Sequence, residues 1–81
     1  MKLSVKLFAI ARQRAGRDSV ELELPDRATV SQLRAALAEH CPPLAELIPH
    51  VRFAVNSEYA VDAATIPPSA EVALIPPVSG G

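Results

Sequence analysis

At 81 residues, with 49% hydrophobic content and a formal net charge of −1, the chain has room for one compact domain and is too apolar for disorder. The charge balance excludes a strongly basic nucleic-acid binder and gives no attraction to a membrane surface. No apolar run approaches the roughly 20 residues of a membrane span. Cys41 is the single cysteine, which excludes an internal disulfide and fits a cytoplasmic setting.

The first segment alternates from Leu3 to Ala9, with Leu3, Val5, Leu7 and Ala9 on one face and Lys2, Ser4, Lys6 and Phe8 on the other. Residues 11–17 form a polar link in which Gly16 can supply a positive φ. A second strand runs from Ser19 to Leu24, with Val20, Leu22 and Leu24 inward and Glu21 and Glu23 outward. Two alternating strands joined by a polar link predict an antiparallel hairpin.

A helix opens at Thr29. Thr29 and Gln32 have the spacing of a capping box, in which each satisfies an orphan amide of the other. Val30, Leu33, Leu37 and Cys41 recur at helical spacing, and Pro42-Pro43 ends the run. After a turn region through residues 44–50, Val51, Phe53 and Val55 alternate with Arg52, Ala54 and Asn56 as a third strand. Asn56-Ser57-Glu58 reads as a turn before a short extended piece at residues 59–61. A Pro-containing loop covers residues 65–69, and the last strand runs from Glu71 to Ile75. All eight prolines fall between periodic segments, as expected of a residue without an amide donor.

The order is β-β-α-β-(β)-β, an α+β fold with one main helix packed across a mixed sheet of four to five strands. The first strand is expected centrally beside the last, which carries the C-terminal segment out at an edge of the domain. The expected division is a domain over residues 1–75 and a flexible tail over residues 76–81. In that tail Pro76-Pro77 favours a stiff, extended exit. Gly80 and Gly81 leave a thin end whose reactive group is the Gly81 α-carboxylate. Termini are commonly loose and Gly-rich for no chemical reason, so the tail alone does not establish a function. Six residues from Pro76 to Gly81 span roughly 20 Å when extended.

Strand parity directs Phe8, Ala73 and Ile75 to the sheet face away from the helix. That face should be polar if nothing covers it, so these three are candidates for the centre of a partner interface. His40, Cys41 and His50 match no zinc spacing, and no metal site is expected. Cys41 finishes the apolar stripe of the helix. Lys2, Lys6, Arg12, Arg14 and Arg17 make the start basic, but Asp18, Glu21 and Glu23 balance them, and the aromatics needed to stack on nucleic acid are scarce.

Several segments together resemble one family: Val5-Lys6-Leu7-Phe8-Ala9 with Ala11-Arg12, then Gly16, Leu24-Pro25, Ala28-Thr29-Val30, Leu33, Phe53-Ala54-Val55-Asn56 and the stretch from Glu71 through Gly81. The chain resembles the small, sulfur-carrier subunit of molybdopterin synthase, whose fold is the ubiquitin-like β-grasp. Two positions depart from the family pattern: Gln13 stands where a glutamate is usual, and Pro68-Ser69-Ala70 where Asp-Gly-Asp is usual. The resemblance implies that an adenylating enzyme uses ATP to activate the Gly81 carboxylate, which is then converted to a thiocarboxylate. The tail, Pro76, Pro77, Val78, Ser79 and Gly80 leading to Gly81, would then enter the active site of the large synthase subunit in a heterotetramer. There it gives sulfur to cyclic pyranopterin monophosphate. The resemblance implies no bound cofactor and no catalytic acid or base of the chain's own. A thiamine-pathway sulfur carrier, a ubiquitin-like modifier joined to lysines, and a β-grasp interaction module without tail chemistry remain as alternatives.

Overall fold

The computed structural model describes residues 1–77. Five strands and two α-helices follow in order: β1 (Lys2–Leu7), α1 (Ala9–Ala15), β2 (Ser19–Glu23), α2 (Val30–His40), β3 (Arg52–Val55), β4 (Glu58–Ala60) and β5 (Val72–Ile75). Two 3-10 turns, Pro42–Leu44 and Ile48–His50, join α2 to β3. The sheet order is β2-β1-β5-β3-β4. β1 and β5 are parallel neighbours at its centre, and the other pairs are antiparallel. A parallel central pair requires a long crossover, and the chain between β1 and β5 carries α2 over one face.

β1 alternates between exposed and buried along its whole length, because Leu3, Val5 and Leu7 point beneath α2. Its partner β2 does the same with Val20 and Leu22. α2 contributes Val30, Leu33 and Leu37, each fully buried, and Phe53, Leu44, Ile66 and Leu74 complete the core. Full burial of an aliphatic or aromatic side chain contributes about 1.5–3 kcal/mol. Phe53→Ala would therefore cost about 3–5 kcal/mol, and is the single change best suited to break the core.

The capping box at the start of α2 is present. Gln32 N–H donates to Thr29 Oγ1 at 3.2 Å, and Thr29 N–H donates to Gln32 Oε1 at 2.8 Å. The next two amides donate outside the helix, Val30 to the Ala64 carbonyl at 3.0 Å and Ser31 to the Asp62 carbonyl at 2.9 Å. Four orphan donors of a helix start thereby gain partners. The turn between β3 and β4 has φ of 51° at Asn56 and 70° at Ser57, the two positive values that a tight two-residue hairpin requires.

Two expectations are corrected. The first strand stops at Leu7 and does not reach Ala9, which has φ 51° and starts α1. Residues 11–17 are not a mere polar link, since most of them belong to α1. Only Ala11 of α1 is buried, so the helix lacks the apolar stripe that reveals a helix in sequence. Gly16 closes it with φ 71°, its amide donating to the Arg12 carbonyl at 2.9 Å. The first and last strands are neighbours, as expected, with β5 in the middle of the sheet, so the chain leaves from the end of a central strand.

Candidate docking face and tail exit

The strand register defines the sheet face turned away from α2. Ser19, Lys6, Ala73, Ala54 and Tyr59 stand side by side across all five strands. The rows on either side of them point inward, with Val5 and Val72 in one and Leu7, Leu74 and Phe53 in the other. All five of these inward side chains are buried. One step further along β5, Ile75 is opposite Arg52. Phe8 continues β1 in extended conformation at φ −132° and ψ 157°, so its parity is opposite to that of Leu7.

This face has a shallow floor of two alanines, Ala73 and Ala54, between longer side chains. Phe8 is 47% exposed and Tyr59 66% exposed, while Ala73 and Ile75 are half-buried. Phe8, Ala73 and Ile75 thus fall on the expected side, although Phe8 lies at the start of α1 and not within the strand. Tyr59 was not singled out from sequence. Its signal was available, because the two-residue turn at Asn56-Ser57 fixes its partner as Ala54 and hence its side. The Arg52 guanidinium carbon lies 5.3 Å from the centre of the Tyr59 ring, within the range of an attractive cation–ring contact.

β5 ends at Ile75, and the chain continues through Pro76 and Pro77, where a cleft is lined by those two prolines with Ile75, His50, Arg52 and Tyr59. The tail therefore departs beside the apolar face, next to an aromatic ring and a guanidinium. Val78, Ser79, Gly80 and Gly81 lie outside the described residues, and so does the expectation of a flexible tail there. Cys41 is buried at the end of α2, which denies it access to a substrate. Among the described residues, no three His, Cys, Asp or Glu side chains gather as a metal site, and no helix is long and apolar enough to cross a membrane.

The described residues combine a five-stranded mixed sheet, a helix across one face, exposed apolar side chains on the other, and a chain that leaves from the central strand. These features define a β-grasp, ubiquitin-like domain. Solved structures with the same architecture bear this out. SAMP1 from Haloferax volcanii superposes at a TM-score of 0.86 with 30% identity, covering 100% of both chains. A molybdopterin-converting factor subunit 1 from Pyrococcus furiosus superposes at 0.83 with 31% identity, covering 96% of this chain and 99% of its own. A chain from the complex of subunits 1 and 2 of molybdopterin-converting factor from Helicobacter pylori 26695 shares the fold at 0.69 with 20% identity, covering 100% of both chains.

The ThiS family model matches residues 5–81, and the chain belongs to the ThiS family. Two curated relatives are molybdopterin synthase sulfur carrier subunits. That of Arabidopsis thaliana is 36% identical over 81 residues, covering 100% of this chain and 84% of the relative. That of Chlamydomonas reinhardtii is 36% identical over 83 residues and covers 100% of both.

Proposed function

We propose that the protein is a sulfur carrier for molybdopterin synthesis, with the Gly81 carboxylate as its working group. The observation that supports this most is the full-length relation to molybdopterin synthase sulfur carrier subunits, which extends through the Gly80-Gly81 end. The described structure adds a face and an exit suited to delivery.

A carboxylate is a poor acyl electrophile. In the proposed cycle an adenylating enzyme lets the Gly81 carboxylate attack the α-phosphorus of ATP, releasing pyrophosphate and leaving an acyl-adenylate. A sulfur nucleophile then displaces AMP, and the product is a C-terminal thiocarboxylate. Its sulfur is ionised at neutral pH and nucleophilic in the sense that any thiolate outperforms its thiol. Docking on the large synthase subunit through Phe8, Ala73, Ile75 and Tyr59 holds the body at the surface while the tail enters the active site. The tethered sulfur meets cyclic pyranopterin monophosphate at high effective concentration. ATP serves the activating enzyme, and catalytic acids and bases belong to the partners.

The test is reconstitution. Thiocarboxylated protein, the large subunit and the pterin precursor are combined, and dithiolene product is measured under single-turnover conditions. Product proportional to the thiocarboxylate supplied supports the reading. No product with a large subunit that is active with its own carrier contradicts it.

A second reading has one observation in its favour, the match to SAMP1, named a small archaeal modifier protein. In that case the activated Gly81 carboxyl would join a lysine amine, and a conjugate retaining the chain's mass would appear on target proteins.

A further inference from the structure

We propose that the free edge of β2 is a docking strand for an extended segment of a partner protein, one that alternates basic and apolar residues. β2 is the outermost strand on its side of the sheet. Its register with β1 fixes which backbone groups are free. Leu7 N–H donates to the Asp18 carbonyl and Leu24 N–H to the Met1 carbonyl, each at 2.8 Å. Hydrogen-bonded pairs alternate along an antiparallel ladder, so Val20 and Leu22 exchange bonds with β1 at Val5 and Leu3. Ser19, Glu21 and Glu23 therefore turn both amide and carbonyl away from β1. Among the described residues no hydrogen bond reaches these six groups. The opposite edge, β4, is only three residues long, and by the same parity only Tyr59 faces outward there.

The open edge adjoins a cleft between β2 and α2, lined by Glu21, Leu22 and Glu23 from the strand and Ala36, Glu39 and His40 from the helix; Lys2 of β1 also lines it. A strand laid along this edge would alternate its side chains between two settings. On one side they would meet Leu22 and the half-buried Ala36, which favour apolar residues. On the other they would meet Glu21 and Glu23, both exposed, where Lys or Arg directly across gains and an acid loses. On that face Glu23 already has Lys2 opposite it and the Met1 ammonium at 3.2 Å, whereas Glu21 stands opposite Ser4, with no basic residue across the ladder; Glu39 of α2 adds a negative charge at the cleft. The same charges act against a second copy of this chain, because antiparallel pairing of two β2 edges would set glutamates against glutamates. A basic strand is the occupant that matches, bound by strand addition. This edge lies across the sheet from Tyr59, so its occupation leaves the docking face open and does not depend on the reading of the tail.

The test uses the full chain, isotopically labelled, and two capped hexapeptides of alternating sequence, one of Lys and Val and one of Glu and Val. The proposal expects saturable amide shifts from the Lys peptide at Ser19, Glu21, Glu23 and residues 36–40. It also expects slowed hydrogen exchange at those three β2 amides, and no response to the Glu peptide. Glu21→Lys with Glu23→Lys should weaken the Lys peptide by about tenfold or more. Glu21→Pro removes an outward donor while sparing the β1 ladder, so it should abolish binding in a chain that still melts cooperatively. Shifts centred on Ala73 and Ile75, equal responses to both peptides, or no saturable shift at millimolar Lys peptide would each overturn the proposal.

Discussion

Arg34 and Asp62 form the bond that ties α2 to the loop after β4. The Asp62 Oδ1 accepts from Arg34 Nη2 at 3.0 Å and from Nε at 3.3 Å. The same guanidinium donates through Nη1 to the carbonyls of Ile48 and of Val51, the latter at 2.9 Å, and lies 5.1 Å from the Phe53 ring centre. One side chain thus joins the helix, the 3-10 turn, the start of β3 and the β4 exit. Removing it takes the side-chain donor from the part-buried Val51 carbonyl and leaves the Ile48 carbonyl with only the long Val51 amide contact at 3.4 Å, so Arg34→Ala should lower stability by about 1–3 kcal/mol. Asp62 is largely exposed, so Asp62→Ala should cost less than about 1 kcal/mol. Urea unfolding of both variants checks this, and equal losses would contradict the role given to the carbonyl contacts.

The capping box makes a second prediction. Thr29→Ala should cost about 1 kcal/mol, and Thr29→Asn should restore most of it, since asparagine offers an equivalent acceptor. The readout is the urea midpoint at constant slope, which separates lost stability from a changed unfolded state.

Much of this frame was legible in sequence because it rests on periodicity. The alternation in residues 3–7 and 19–24, the Thr29–Gln32 spacing and the proline boundaries all depend on one residue's local geometry, and each is present. α1 was not legible: with Ala11 as its only buried residue, it carries no apolar stripe. Ile66 is fully buried from a Pro-containing loop, its N–H donating a hydrogen bond to the Ala28 carbonyl at 2.8 Å. That burial is a tertiary consequence, invisible to a local pattern. On the sheet face turned away from α2, parity correctly grouped Ala73 and Ile75 but could not foresee the turn at Ala9 that ends β1 beside Phe8.

Ser69 occupies the left-handed region at φ 61°, in the loop where the family pattern places glycine. A non-glycine residue there is strained by its Cβ. Ser69→Gly should therefore raise stability by about 0.5–1 kcal/mol. A fall in the urea midpoint would show that the serine side chain contributes more than its backbone costs.

The apolar face predicts a separation of folding from binding. Phe8→Asp and Tyr59→Asp alter exposed side chains, so each should leave the melting temperature within a few degrees of the parent. Each should weaken binding to the large synthase subunit by tenfold or more, about 1.4 kcal/mol. Calorimetry on the purified pair measures the second quantity. Unchanged affinity would remove this face from the interface, and loss of folding would refute its assignment as exposed.

The proposed function rests on one group, the Gly81 carboxylate. The most direct measurement is intact mass after incubation with ATP, the adenylating enzyme and a sulfur source. A sulfur carrier should gain the mass of replacing one oxygen by sulfur, dependent on ATP and absent when Gly81 is deleted. An unchanged mass, with an activating enzyme shown to load its own carrier, would contradict it.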